Sequence, residues 1–142
     1  QMCIRDRYCC SDNVTEAQRE GFVSLLHCSG LLEELDEKLM DVGSAVAGCG
    51  GAFACLFLEG LADGAVYAGL PRAKAQRYAA QMLLGIAKLA LASDEHTGAL
   101  KDAVCSPGGT TIAGVRALEE RGFRAAAMNA VIAAYERTKE LG

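Results

Sequence analysis

The sequence has 142 residues, of which 51% are hydrophobic and 23% are charged, with a formal net charge of −4. This length is enough for one domain with an ordinary hydrophobic core. The acidic balance and the lack of a basic block interleaved with aromatic residues argue against nucleic acid as a partner.

The chain opens with a segment, residues 1–7, that has neither helical nor strand periodicity. Its letters MCIRDR resemble the translation of a common sequencing-library adapter. Residues 1–7 are therefore interpreted as an artefactual or disordered leader outside the fold. On this interpretation, any missing N-terminal domain reflects truncated sequence data.

One helix and one strand are predicted next. Asn13 or Thr15 is expected to cap a helix that runs to about His27, and Gly30 is expected to end it. The following residues, Leu31 to Leu35, favour a short strand.

The segment from Met40 to Leu70 is apolar and rich in glycine and alanine. Val42 to Leu58 carries no charge, which is close to the ~17 to 25 residues of a transmembrane helix. Its glycines weaken the helix, and Glu59 and Asp63 follow it without a basic flank. The sequence therefore favours tight helix packing at a subunit interface, with a membrane span as the less favoured alternative.

Two amphipathic helices are predicted in the second half of the chain. Pro71 is expected in the first turn of one, just after Gly69 closes the preceding helix. Its apolar stripe extends over about five turns and comprises Ala75, Tyr78, Met82, Ile86 and Leu89. The stripe is interpreted as buried core or subunit contact. The other helix covers roughly Phe123 to Glu140, and four or more such helices predict an all-α domain.

The stretch SPGGTTIAG, Ser106 to Gly114, has the composition of an anion site. Its proline and two glycines can turn backbone amides inward, and Thr110 or Thr111 is expected to cap a helix that Gly122 ends. A carboxylate or phosphate would be held at the positive end of this helix. The alternative is an ordinary turn followed by a threonine cap.

The segment Ser106 to Gly142 resembles the C-terminal part of pyrroline-5-carboxylate reductase. Two upstream segments, Leu56 to Ala75 and Leu100 to Thr111, resemble that family in the same order and spacing, and the resemblance runs from about Asn13 to the end. It implies an all-α helical bundle dimerisation domain with a short remnant, one helix and one strand, of a preceding Rossmann-type domain.

The resemblance also implies a division of the chain and a function. Residues 8–38 would be the remnant of the nucleotide-binding domain, and 39–142 the helical dimerisation and substrate-binding domain. The family reduces 1-pyrroline-5-carboxylate to L-proline, the last step of proline biosynthesis, with NADPH or NADH. That cofactor would be bound mainly by the missing N-terminal domain, so the fragment is expected to be inactive alone and to form a homodimer or larger homo-oligomer.

The resemblance assigns candidate site residues to the loop. Those expected to grip the carboxylate of pyrroline-5-carboxylate are Ser106, Pro107, Gly108, Gly109, Thr110 and Thr111. Thr111 matches the threonine that contacts substrate in relatives. Asp94 matches an acidic position beside the site, although a solvated carboxylate near a helix end is the commoner explanation. No catalytic acid is identified.

The small-residue run Ala47 to Phe53 departs from the family. Relatives usually read SGSGPAY where this chain has AGCGGAF, so a proline and a tyrosine hydroxyl are absent. The glycines of this run, Gly48 to Gly51, only faintly resemble a dinucleotide-binding fingerprint and follow no β-rich strand. They are rejected as a cofactor site.

The seven cysteines indicate the redox compartment of the protein rather than a functional site. None forms a C-x-x-C pair, which is typical of reduced thiols in a cytoplasmic protein. No metal site is expected, because neither His27 nor His96 has convincing ligand spacing. Cys105 adjoins the loop, but a small buried side chain is favoured there over a nucleophile.

Two other functions stay open. A helical homodimerisation module without catalytic activity would keep the amphipathic stripes but would not require two threonines after Pro-Gly-Gly. A phosphate-loop protein would need a lysine beside the last glycine of the loop, where Thr110 stands.

Overall fold

The computed structural model describes residues 6–141 and, within them, every side chain except those of Asp6 and Ser29. The chain divides into two compact units. One comprises the residues up to Gly51 together with those from Asn129 onward, and the other runs from Ala52 to Met128. Residues 1–5 of the predicted leader lie outside the described residues.

The first unit contains a small parallel sheet whose strands are joined by a helix. Strand β1 (Asp6–Tyr8) pairs with strand β2 (Leu32–Glu34), and helix α1 (Glu16–Leu26) connects them. The rings of Tyr8 and Phe22 meet edge to face, with their centroids 5.4 Å apart. This βαβ arrangement confirms the predicted Rossmann-type helix and strand. Strand β1 was not predicted, and its first two residues fall in the predicted leader.

Helix α1 begins at a capping box. The Thr15 hydroxyl accepts a hydrogen bond from the Gln18 amide at 3.4 Å, and the Gln18 side chain accepts one from the Thr15 amide at 2.9 Å. Of the two predicted caps, Thr15 is therefore the one used, and Asn13 is not. The chain leaves α1 through the 3-10 turn His27–Ser29, which Gly30 ends with a φ of 149°.

Helix α2 (Met40–Ala47) is tied to β1 by one side chain. The Arg7 guanidinium donates to the Ser44 hydroxyl at 2.7 Å and to the Met40 carbonyl at 3.4 Å. Ala45 of this helix is completely buried. The side chain of Arg7 is thus part of the packing of the first unit.

The second unit is built from helices in sequence order. They are α3 (Gly50–Tyr67), α4 (Arg72–Ala92), α5 (Thr97–Ala103), α6 (Thr110–Glu120) and α7 (Phe123–Leu141), of which α3 and α7 each begin or end in the first unit. Gly69 and Gly122 have φ values of 100° and 71°, as expected of glycines that close helices. The all-α class with a small Rossmann-type remnant is confirmed. Among these helices, α5 was not predicted, because seven residues are too few to show a period.

Burial within a single chain is sparse. The buried residues among those described are Ala45, Ala62, Ala75, Ala79 and Leu100. The predicted stripe of α4 is mostly open to solvent, with Tyr78, Met82 and Leu89 exposed by 64%, 46% and 49%. The chain leaves 10,977 Å² accessible at a mass of 14.9 kDa, where a folded monomer of that size leaves about 7,000 Å². The stripe is therefore not the core of one chain.

One stretch of the described residues is long and apolar enough to cross a membrane. It runs from Glu37 to Tyr67, with a mean hydropathy of 1.7 over its best window, of which 11% is buried. The break at Gly48 and Cys49 divides this stretch into α2 and α3. Length and composition alone are weak grounds for a span, so packing against another chain stays the favoured interpretation.

Candidate functional site

The loop before α6 is a tight turn stabilised by its own backbone. The Gly109 amide donates to the Ser106 carbonyl at 3.0 Å, with Pro107 and Gly108 at the two central positions. Gly108 has a φ of 68°, which a residue with a side chain rarely adopts. Proline followed by glycine at these positions is typical of a type II turn.

The turn places the start of a helix behind it. Gly109 is the N-cap of α6, with φ of −78° and ψ of 172°, and no side chain caps the helix. The prediction that Thr110 or Thr111 would be the cap is wrong, because both lie inside the helix. The turn delivers Gly109 in the extended conformation that an N-cap needs, so the helix starts one residue earlier than a threonine cap would allow.

Three consecutive amides at this helix start are unbonded. The N–H groups of Thr110, Thr111 and Ile112 have no hydrogen-bond partner among the described residues, whereas the Gly109 amide is already used by the turn. Such amides, at the positive end of an 11-residue helix, are the groups that bind a carboxylate or phosphate. Thr110 and Thr111 are exposed, and their hydroxyls lie at the same end.

The residues of the loop are mostly exposed to solvent and do not form an enclosed pocket among the described residues. Gly109 is half-buried, and the other five candidate residues of the loop are exposed. Four cavities lined by described residues have linings that do not include the loop. A ligand held by the three amides would therefore be open to solvent in this chain by itself.

The positive φ of Gly108, at the centre of the turn, predicts that a side chain at this position would lower the free energy of unfolding. Gly108→Ala should destabilise the chain by about 1–2 kcal/mol, because the added Cβ opposes a positive φ. Gly21→Ala is the matched control. Gly21 lies inside α1 with open space where a Cβ would be, so alanine should stabilise by up to about 1 kcal/mol. Urea unfolding followed by circular dichroism measures both, and equal effects of the two changes would contradict the turn geometry.

Charged side chains that precede and follow the loop in the chain form pairs. Lys101 of α5 pairs with Asp102, and this hydrogen bond raises the pKa of Lys101, with a smaller contribution from nearby Cys105. Arg124 donates to Glu119 at 3.2 Å through its Nε, which lowers the pKa of Glu119. Both of these cations are engaged by carboxylates, whereas the three amides at the helix start have no hydrogen-bond partner among the described residues.

Asp94 lies before the loop in the chain, in the connection between α4 and α5. Its carboxylate is exposed and makes no hydrogen bond or ion pair among the described residues. The Glu95 amide beside it donates to the Ser93 hydroxyl at 3.1 Å. This hydrogen bond stabilises the backbone next to Asp94, but no contact between Asp94 and the loop is seen among the described residues.

The cysteines of the described chain are free thiols. They are Cys9, Cys10, Cys28, Cys49, Cys55 and Cys105. Cys105 is half-buried at the end of α5. No cluster of three or more potential metal ligands occurs among the residues that the structure describes.

The turns of the described residues lack the glycine-rich fingerprint of a dinucleotide site. In the βαβ unit, the residues between β1 and α1 run from Cys9 to Thr15 and include no glycine, which a pyrophosphate turn requires. Gly48 lies at the break between α2 and α3, with no strand before it. Neither turn of the described residues therefore provides the pyrophosphate site of a dinucleotide cofactor.

One cavity among the described residues was not indicated by any motif. It is a groove of about 700 Å³, lined by Glu59 and Asp63 of α3 and by Arg72 and Gln76 of α4, among others. Arg72 is already paired with Asp63. The groove thus offers no unpaired cation, in contrast to the helix start at Thr110.

The chain is similar in sequence to known proteins. Residues 37–141 match the family described as pyrroline-5-carboxylate reductase dimerisation. The pyrroline-5-carboxylate reductase of Synechocystis is 54% identical over 80% of the chain and 42% of the relative, and that of Escherichia coli is 44% identical over 90% and 48%.

Solved structures give the same result. The pyrroline-5-carboxylate reductase of Coxiella burnetii superposes with a TM-score of 0.90 at 30% identity, over 96% of the chain and 51% of that structure. The pyrroline carboxylate reductase of Plasmodium falciparum, solved with NADP bound, gives 0.85 at 36% identity, over 96% and 52%. The chain spans about half the length of the relatives that it matches.

Proposed function

Because the chain belongs to the pyrroline-5-carboxylate reductase family, we propose that it supplies the substrate-binding and subunit-contacting part of an oxidoreductase. The reaction would be the reduction of 1-pyrroline-5-carboxylate to L-proline with NADPH or NADH, the last step of proline biosynthesis. The observation that carries the proposal is the row of three unbonded amides at the start of α6.

The loop would hold the substrate by its carboxylate. The amides of Thr110, Thr111 and Ile112 would donate to the carboxylate oxygens, at the positive end of the helix dipole. Hydroxyls of Ser106 and Thr111 would add hydrogen bonds, and Thr111 is our first choice for a side-chain contact. Pro107, Gly108 and Gly109 would act by shaping the turn, which fixes the imine relative to the reductant.

We assign no catalytic acid. Asp94 is proposed as a near-site residue only, because its carboxylate is exposed and has no partner among the residues that the structure describes. A negative charge there would favour the protonated iminium form of the substrate. The competing interpretation, a solvated carboxylate next to a helix, would leave ligand binding unchanged when Asp94 is replaced by asparagine.

A homodimer or larger homo-oligomer is part of the proposal. The exposed stripe of α4, including Tyr78 and Met82, is the kind of surface that one chain leaves for a second copy. A partner chain could also cover the loop, of which all candidate residues except Gly109 are exposed in one chain. We place the protein in the cytoplasm, in keeping with the free thiols, with neither nucleic acid nor membrane as partner.

The chain of 142 residues should not reduce the imine by itself, because the turns of its described residues provide no pyrophosphate site for a nicotinamide cofactor. Purified protein, 1-pyrroline-5-carboxylate and NADPH or NADH would be mixed and the loss of absorbance of the reduced cofactor followed. The rate should equal that of a protein-free control. Turnover above this control would show that the chain holds the cofactor in a way that its turns do not indicate.

The test of the proposal is binding of L-proline, the product, to the loop. Amide resonances of Thr110, Thr111 and Ile112 should shift on titration, while those of α1 in the first unit should stay in place. No shift in the loop at any concentration, with the oligomer intact, would support the helical dimerisation module without catalytic activity.

A further inference from the structure

A histidine begins the helix that leads into the substrate loop. His96 is the N-cap of α5, and its Nδ1 accepts a hydrogen bond from the Gly98 amide at 3.0 Å. The His96 carbonyl also accepts from the amides of Ala99 and Leu100, at 2.8 and 3.3 Å. Histidine is rarely chosen for this position, where serine, threonine, aspartate and asparagine are preferred.

This cap works only with a neutral imidazole. A nitrogen that accepts a hydrogen bond cannot carry a proton, so the proton of His96 must be on Nε2. Protonation of Nδ1 would remove the acceptor and add a positive charge at the positive end of a helix. Both effects oppose the first turn of α5.

The other histidine of the chain has the opposite requirement. His27 Nδ1 lies 2.6 Å from the Ser24 carbonyl oxygen, which can only accept, so this nitrogen must carry a proton. Protonation of His27 leaves that hydrogen bond in place. Protonation therefore breaks the hydrogen bond of His96 and preserves that of His27, so His27 can serve as an internal control.

Helix α5 depends strongly on its first turn. Seven residues are too few for a stable helix on propensity alone, and among them only Leu100 is buried. Glycine at position 98 leaves room for the ring, since a Cβ there would meet Nδ1 at 3.0 Å.

The far end of α5 continues directly into the turn that shapes the substrate loop. The Val104 amide donates to Lys101 and the Cys105 amide to Asp102, at 3.2 and 3.0 Å, and Ser106 follows. On the other side, Asp94 lies two residues before His96 in the chain. The helix therefore separates the proposed near-site carboxylate from the proposed carboxylate-binding loop.

The charged groups around His96 do not replace the cap. Asp94 and Glu95 precede it, and neither forms an ion pair with its ring. On α5, Lys101 and Asp102 pair with each other. His96 itself is exposed, so protons have free access to it.

We propose that His96 is a pH-sensitive positioning residue, which fixes α5 and the substrate loop when its imidazole is neutral and releases them when it is protonated. The cap is present while Nδ1 is unprotonated and is lost when that nitrogen takes up a proton. Histidine is the side chain whose charge ordinarily changes between about pH 5 and 8. The effect on ligand binding rests on the proposed function, whereas the loss of the cap does not.

The test uses the whole chain and two matched variants. His96→Asn keeps a side-chain acceptor that does not titrate in this range, and His27→Asn removes the other histidine. Amide hydrogen-exchange protection at Gly98, Ala99 and Leu100 is measured at pH 7.5 and 5.5, after correction for intrinsic exchange. It should fall about fivefold in the wild type and in His27→Asn, the factor expected for one N-cap, and by less than twofold in His96→Asn.

Binding of L-proline is measured on the same three proteins. Its carboxylate is ionised at both pH values, so the ligand itself does not change charge there. The dissociation constant should rise about fivefold at pH 5.5 in the wild type and in His27→Asn, and stay constant in His96→Asn.

Equal pH dependence of wild type and His96→Asn would overturn the proposal. His96→Ala is a further control that removes the side-chain cap at every pH. It should show low protection at Gly98, Ala99 and Leu100 at both pH values if the cap stabilises the first turn of α5. If L-proline binds at neither pH while protection at Gly98 still falls, the proposed function fails and the His96 switch stands. If L-proline binds but protection at Gly98 does not fall at pH 5.5, the proposed function stands and the His96 switch fails.

Discussion

Replacing Thr111 with valine should weaken binding of L-proline by about 10- to 100-fold. Thr111 is exposed in the first turn of α6, next to amides that have no partner among the described residues. A hydrogen bond to a charged group contributes about 1.5–3 kcal/mol, which corresponds to this range of affinity. Valine keeps the shape of threonine, so the loss can be assigned to the hydroxyl. Isothermal titration calorimetry gives the dissociation constants.

The same chemical change elsewhere serves as control. Thr138 lies in α7, where its hydroxyl donates to the Ala134 carbonyl at 2.9 Å. Thr138→Val should leave L-proline affinity within about twofold, and neither variant should alter the oligomeric state. Unchanged affinity in Thr111→Val would remove the side chain from the proposed site, and it would favour a dimerisation module if the loop resonances also failed to respond.

Placing a charge on the stripe of α4 should dissociate the oligomer. Met82 is 46% exposed in one chain, in line with Tyr78 and Leu89. An aspartate at Met82 would be buried unpaired against a second copy, which typically costs several kcal/mol. Met82→Asp should raise the subunit dissociation constant by about 100-fold or more, as measured by analytical ultracentrifugation across a dilution series.

Gln81→Asp is the control for this change. Gln81 is exposed and adjoins Met82 in sequence, but it lies off the stripe, and the change adds the same single negative charge. It should leave the dissociation constant within about threefold. A dimer that tolerates Met82→Asp would mean that the stripe is not the contact. Partition of the wild-type chain into lipid vesicles would instead favour the membrane alternative for Glu37–Tyr67.

Several helices could be predicted because their signals are local. The end of the helix before α4 is marked by Gly69, and that of α6 by Gly122, and both glycines have the positive φ that such closures need. The stripe of α4 was visible as spacing, and α4 covers the predicted turns. Thr15 was one of two possible caps, and only the structure shows that its reciprocal bonds with Gln18 form.

Short elements could not be predicted in the same way. Strand β1 has three residues, and its identity as a strand depends on pairing with β2 far along the chain. Helix α5 has seven residues, and its start is marked by a histidine, which is not a usual cap. Neither segment carries enough residues to show a period.

Taken alone, the sequence determined the fold class, the resemblance to a reductase family and the position of the loop at Ser106, because glycines, prolines and helical spacing act locally. Tertiary structure alone decided that Gly109 caps α6, that three amides are left unbonded, and that the apolar stripe of α4 is exposed in one chain. These features depend on how the turn delivers the backbone and on which surfaces find a neighbour. Residue order does not fix either before the chain has folded.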